Sequence, residues 1–257
     1  MKPSSRIPNL RTIAITGGLG DIGLATGLRL ARDGHAVMLL DLVPVEEGRE
    51  RASSAAAHDG VALGYLRVDV TDHSAVFEAI DSIVSLDTVI ANAGTVRSAP
   101  FLEITAADWR AHLDVNLTGA FLPLQAAAQR FVREETRGLL LATSSWVAQV
   151  PWPEITAYTA SKAGLEMLIK QAARELALYG IRANAVAPGI VLAGLAKNQV
   201  ETEPQYAARA SRVIPLGALQ SAEQVAGAFS FLCSPDADYM TGTTLTIDGG
   251  ASLFSFD

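Results

Sequence analysis

Tyr158 and Lys162 lie four residues apart in the stretch YTASK, at the start of a helical-period segment that puts both on one helix face. Most tyrosine–lysine pairs at this spacing are surface pairs. This one is of interest for what an ammonium group does to a phenol. A free tyrosine titrates near pH 10, so proton transfer near pH 7 needs a depression of roughly three units, about 4 kcal/mol. One neighbouring cation supplies energy of that order at an effective dielectric of about 20. The pair can therefore move a proton.

The stretch IAITGGLGDIG (13–23) carries a second signal. A strand at 11–16 runs into Gly17, Gly18, Gly20 and Gly23 and then into a helix. Glycines permit a tight turn and close backbone approach, and the helix N-terminus offers N–H groups to a pyrophosphate. The second strand ends in Asp41, 24 residues after Gly17. A carboxylate there can accept both hydroxyls of an adenosine ribose, whereas a 2′-phosphate would meet like charge. No Lys or Arg occupies 18–20 or 42–43, so NAD is expected over NADP. An Asp41 that caps the next helix is the other reading. Asp69, in RVDVTD, can reach the adenine or form an Asx turn. A nicotinamide ring beside Tyr158 would add its charge to that of Lys162.

These groups need a scaffold, and the chain alternates short apolar runs with helical-period segments throughout. Strands are expected near 11–16, 36–41, 63–68, 87–91, 138–144, 181–187 and 243–247, and helices near 21–33, 45–57, 72–83, 105–134, 156–178 and 221–233. The strands are continuously Val/Ile/Leu-rich, as befits strands covered on both faces. Regular βαβ alternation implies right-handed crossovers and a parallel, doubly wound α/β sheet. No linker divides the 257 residues, so a single domain is expected. The long strandless excursion near 190–215 suits a substrate lid.

Composition narrows the class. A net charge of −7 argues against a nucleic-acid surface, and no apolar run approaches bilayer length. Lys2 and Arg6 are followed by Pro8, Asn9 and Arg11 where a signal peptide would be apolar. The lone Cys233 cannot form an intramolecular disulfide, which fits a reducing, cytoplasmic setting. The four histidines lack metal-ligand spacing, so no metal is expected.

Over nearly its whole length the sequence resembles the short-chain dehydrogenase/reductases. The resemblance rests on TGGLGDIG (16–23), Asp41, DV (69–70), ANAG (91–94), VNLTGAF (115–121), SS (144–145), YTASK (158–162), NAVAPG (184–189) and TGTTLTIDGG (241–250). It implies a Rossmann-type, seven-stranded parallel sheet with helices on both faces. It also implies Tyr158 as general acid/base, with Lys162 lowering its pKa and holding the nicotinamide ribose. Ser145 would bind the substrate oxygen, and Asn116 would hold a relay water or brace a helix kink. The implied dinucleotide site comprises Gly17, Gly20, Asp21, Ile22, Asp41, Leu42, Asp69, Val70, Asn92, Ala93, Gly94, Tyr158, Lys162, Pro188, Gly189 and Val191. Assembly as a homotetramer follows from the same resemblance.

The chain departs from that pattern at three places. Asp21 stands at the usual middle glycine, Ala91 at the first Asn of NNAG, and Ala193 at a common threonine. An aspartate aimed at a pyrophosphate about 4 Å away would lose several kcal/mol, while one turned outward at a helix N-terminus gains about 0.3–1 kcal/mol. The outward rotamer is expected, with Gly18 and Gly20 giving the close approach. Candidate pocket walls are Arg97, Trp146, Gln149, Trp152, Glu154 and Leu192. The tryptophans suit an apolar or ring-shaped substrate, or plain packing; Arg97 suits an anion, or solvent. The expected activity is NAD-dependent interconversion of a secondary alcohol (polyol, cyclic or hydroxy compound) and a ketone. The alternatives are a 3-oxoacyl-thioester reductase and a non-catalytic NAD-sensing protein.

Overall fold

The computed structural model describes residues 10–193, 210 and 212–253. Seven parallel strands form one sheet in the order β3-β2-β1-β4-β5-β6-β7. They are β1 (Thr12–Thr16), β2 (Ala36–Asp41), β3 (Gly64–Arg67), β4 (Thr88–Ala91), β5 (Gly138–Thr143), β6 (Ile181–Pro188) and β7 (Thr244–Ile247). The chain moves outward from β1 to β3, then returns to lay β4 on the other side of β1. That reversal opens a crevice at the carboxyl ends of β1 and β4, where ligands bind in open α/β sheets.

Helices α1 (Asp21–Arg32), α2 (Val45–Asp59) and α7 (Ala222–Cys233) cover one face, and α3 (His73–Ser82), α5 (Gly119–Arg133) and α6 (Thr156–Leu176) the other. Each face has its own apolar core, one around Leu39, Leu141 and Phe229, the other around Ile80, Phe131 and Leu140. Every residue of β5 is buried, which accounts for the unbroken apolar run GLLLAT. All seven expected strands and their parallel order are present.

One expectation needs correction. The segment near 105–134 is two helices, α4 (Ala106–Leu113) and α5, joined by a π-helical turn at Asp114–Thr118. Asn116 lies inside that turn, fully buried. Its amide binds Thr95 outside the helix, and such wide turns often mark functional places.

Arg130 stitches α5 to α3. Its buried guanidinium donates to the carbonyls of Ile80 and Ile83, both at 2.7 Å, and to Glu134 at 2.8 Å. Truncation leaves two carbonyls without donors at the end of α3. Arg130→Met should therefore lower stability by about 2–4 kcal/mol in urea unfolding; a loss below 0.5 kcal/mol would contradict this account.

Candidate active site

A cleft of about 1090 Å³ runs over the carboxyl ends of the central strands, from Asp41 and Arg51 at one end to Trp152 and Glu154 at the other. Its floor is pinned before any ligand arrives. Asn92 donates to the carbonyls of Thr16 (3.2 Å) and Gly17 (3.1 Å) and accepts from the Thr143 hydroxyl at 2.9 Å. The backbone N–H groups of Asn92 and Ala93 both donate to the Thr16 hydroxyl. Asn92 thus binds the exits of β1 and β5 to that of β4, the kind of bracing that Ala91 cannot supply.

The glycine turn fits a pyrophosphate. Gly17 adopts φ +61°, and a Cβ there would lie 2.7 Å from Ala93 Cα. A Cβ on Gly23 would lie 2.2 Å from the Gly17 carbonyl oxygen, so α1 begins tightly against the turn. Gly20 is the exposed N-cap of the 12-residue α1. Gly17, Gly20, Ile22 and Gly23 line the cleft, and the first helical turn directs N–H groups toward it. Gly18 does not contribute as expected: a Cβ there would collide with Leu39 Cβ at 2.7 Å, so its open side faces the sheet. Asp21 is the first residue of α1 and is exposed, at the end where a carboxylate is favoured.

At the adenosine end, Asp41 accepts N–H bonds from Leu19 at 2.9 Å and Leu42 at 2.8 Å. This fixes the carboxylate and leaves lone pairs for ribose hydroxyls. One feature was not legible in the sequence. Arg51, ten residues beyond Asp41 on α2, lines the same end and donates to the Leu19 carbonyl at 3.3 Å. Asp69 forms the Asx turn, accepting from the Thr71 N–H (2.9 Å) and hydroxyl (2.7 Å). Both Asp69 and Val70 still line the cleft, as does Leu42.

At the other end, α6 carries Tyr158 and Lys162 one turn apart, facing the exit of β5. Ser145 lies beside the Tyr158 phenol and favours its ionised form. Lys162 Nζ donates to the Thr143 carbonyl at 2.7 Å and lies 5.5 Å from the Tyr158 ring centroid. Burial pushes the Tyr158 phenol up, and Ser145 opposes that less strongly. Burial pushes Lys162 down to about 8. The expected net depression of the phenol is therefore not found in the protein alone, because desolvation outweighs the contribution of Ser145.

Asn116 accepts the Thr95 N–H at 2.7 Å and donates to the Thr95 carbonyl at 2.8 Å and to Ser161 at 3.3 Å. It clamps the loop that follows ANAG, the bracing alternative. Gly94 faces it: a Cβ there would stand 3.3 Å from Asn116 Oδ1 and 3.7 Å from Lys162 Nζ. Pro188, Gly189 and Val191 line the cleft opposite α6. Gln220, absent from the sequence-based expectations, ties them down. It accepts the Gly189 N–H at 3.0 Å and exchanges backbone bonds with Ile190 and Leu192. Only the fold reveals it, since 31 residues separate it from Gly189.

Of the expected substrate walls, Trp146, Trp152 and Glu154 line the cleft. The two indoles meet edge to face at 5.3 Å. Ala210, Val213 and Ile214 pack in the same cluster, with Tyr158 partly buried against it. Glu154 is held at φ +66°, a strained conformation for a non-glycine residue at a site rim. Arg97, Gln149 and Leu192 do not line the cleft. Arg97 turns outward to pair with Asp108 at 2.8 Å, Gln149 bonds to Glu166 at 3.3 Å, and the Leu192 side chain is half exposed. Most of the expected lid lies outside the described residues. Among the described residues no group of His, Cys, Asp or Glu could hold a metal, and no helix is long and apolar enough to cross a membrane.

The family model described as "Enoyl-(Acyl carrier protein) reductase" matches residues 18–252. The chain is 33% identical over 248 residues to 3beta-hydroxysteroid dehydrogenase 1 of Eggerthella lenta, covering 95% of this chain and 94% of that one. The structure is similar to that of an NAD+-bound xylitol dehydrogenase (TM-score 0.84, 32% identity, 93% and 98% covered). It is also similar to that of a putative 2-deoxy-d-gluconate 3-dehydrogenase from Agrobacterium tumefaciens with bound NADP (TM-score 0.87, 29% identity, 95% and 97% covered). The chain belongs to the short-chain dehydrogenase/reductase family. It is an oxidoreductase of alcohols and ketones that uses a nicotinamide cofactor.

Two outcomes follow from the geometry. Asp21→Gly should leave NAD affinity within about threefold in a fluorescence titration, whereas an Asp21 essential to the turn would abolish binding. Lys162 titrates at about 8 in the fold against 10.5 free, so below pH 8 the unfolded chain binds this proton more tightly. Its burial then costs about 3 kcal/mol, a penalty relieved as pH rises from 8 to 10.5. Against about 1 kcal/mol for the lost Thr143 bond, Lys162→Met should raise stability at pH 7 by about 2 kcal/mol. The gain should vanish near pH 10.5 in pH-dependent unfolding.

Proposed function

We propose that the protein interconverts a neutral secondary alcohol, cyclic or polyol, and its ketone, using NAD. The observation that carries this reading is the convergence of Ser145, Tyr158 and Lys162 on one wall of a cleft whose other end is closed by Asp41. Asp41 opposes a 2′-phosphate, which supports NAD. Charge at the substrate end supports a neutral substrate. The cation expected there, Arg97, is turned away to Asp108, and the rim carries the carboxylate of Glu154.

When bound, the dinucleotide supplies hydride transfer at its nicotinamide ring. The protein does the rest. The glycine turn and Asp41 fix the two ends of the cofactor. Ser145 donates to the substrate oxygen, and Tyr158 gives that oxygen a proton or takes one from it. The Lys162 ammonium lies beside the phenol and favours the ionised form. Gly94, with no side chain, leaves room against Lys162 and Asn116. Ala210, Val213 and Ile214 pack in one apolar cluster with the two tryptophans, beside the substrate end of the cleft.

Exposed Trp109, Phe121 and Met167 on α4, α5 and α6 support assembly of these helices as a homotetramer. The buried thiol of Cys233, pushed up to about 12, suits core packing in a reducing cytoplasm.

A panel of xylitol, glucose, cyclohexanol, a 3β-hydroxysteroid and gluconate, read by absorbance at 340 nm with NAD and NADP, tests the proposal. A neutral member should be oxidised with NAD at least tenfold more efficiently than gluconate. Tyr158→Phe should lower its kcat/KM by about 10²–10⁴-fold. Asp41→Ala should narrow the NAD-to-NADP preference at least tenfold. Equal rates for Tyr158→Phe and the unmodified protein would overturn the acid/base assignment.

A further inference from the structure

One buried ionisable side chain has no part in the chemistry above. Glu166 lies on α6 and is 6% exposed. It is four residues beyond Lys162, which is itself four beyond Tyr158, so the three occupy successive turns of one face. All three reach the exit of β5. Tyr158 meets Ser145, Lys162 meets the Thr143 carbonyl, and Glu166 Oε1 accepts from the Ser144 hydroxyl at 2.9 Å. The other oxygen, Oε2, accepts from the Gln149 amide at 3.3 Å.

This arrangement sorts the two adjacent serines. Successive residues of extended chain point to opposite sides. Ser144, tied by its hydroxyl to Glu166 and by its N–H to the Val186 carbonyl at 2.7 Å, has one available orientation. Ser145, extended at φ −163°, is then directed at Tyr158. The second Glu166 bond, accepted from Gln149, closes the far side of the short helical turn Trp146–Ala148, which carries the Trp146 wall. The carboxyl group thus holds both ends of the six-residue segment 144–149.

We propose that Glu166 is a positioning residue for the reaction, fixing the Ser145 hydroxyl and the Trp146 wall through Ser144 and Gln149. The inference rests on the catalytic reading of Ser145 and Tyr158. A residue needed only for packing could be replaced by an apolar side chain of similar size, since such replacement of buried polar groups is often tolerated.

The test is a mutant cycle on the panel alcohol turned over fastest. Glu166→Leu should lower kcat at least tenfold while leaving the NAD dissociation constant within twofold in fluorescence titration. In a Ser145→Ala background the same substitution should cost less than threefold, because the group it positions is gone. Glu166→Gln, which can still accept from Ser144, should recover most of the rate. Equal losses in the two backgrounds, or a Glu166→Leu rate within twofold of the unmodified protein, would overturn the proposal. If Glu166→Leu fails to fold, Ser144→Ala takes its place, with a loss of at least threefold expected that disappears beside Ser145→Ala. If no panel member is turned over, the activity reading has failed separately. Crystal structures of the unmodified protein and of Glu166→Gln and Ser144→Ala then decide the inference. A Ser145 hydroxyl moved by more than about 1 Å relative to the Tyr158 oxygen in Ser144→Ala, and kept in place in Glu166→Gln, supports it; an unmoved hydroxyl in Ser144→Ala overturns it.

Discussion

The site depends on a lysine ammonium held out of water. Lys162 reaches the Thr143 carbonyl at the end of β5, and that bond ties the helix carrying the phenol to the strand that leads into Ser145. Burial makes its charge expensive, as its fall to about 8 records, yet the same burial makes the charge effective. An exposed lysine would be screened and mobile, and would neither steady the strand end nor act on Tyr158. The fold supports this arrangement with two apolar cores, one on each side of a sheet whose central strand β5 is wholly buried.

Tyr158 and Lys162 are both held by burial in an unfavourable electrostatic state. Both partners are pushed toward neutrality, the phenol up and the ammonium down. A cation in the cleft would favour the ionised phenol. Burial of the pair is a stability cost concentrated at the working part of the molecule, as is common where function and folding compete.

Local patterns in the sequence carried the scaffold well. Seven apolar runs became seven strands, because β-favouring residues buried on both faces leave little choice of structure. YTASK placed Tyr158 and Lys162 together because helix geometry alone brings residues four apart onto one face. What the sequence concealed was long-range. Arg51 reaches the adenosine end only because α2 folds back over the glycine turn, and Gln220 meets Gly189 only once the chain has returned. Arg97 failed as a pocket wall for the same reason: Asp108, eleven residues on, claimed it. The helix expected across 105–134 hid a π turn because Asn116 draws its partners from Thr95, outside the helix.

Asn92 laces three neighbouring strand exits into one surface through four bonds of its side chain and backbone. The ordering entropy of that surface has been spent during folding and is not charged again at association. An arriving dinucleotide meets strand exits that are already tied together. The residence time of a ligand then rests with whatever covers it from above, and a change in that roof alters departure without reshaping the bed beneath.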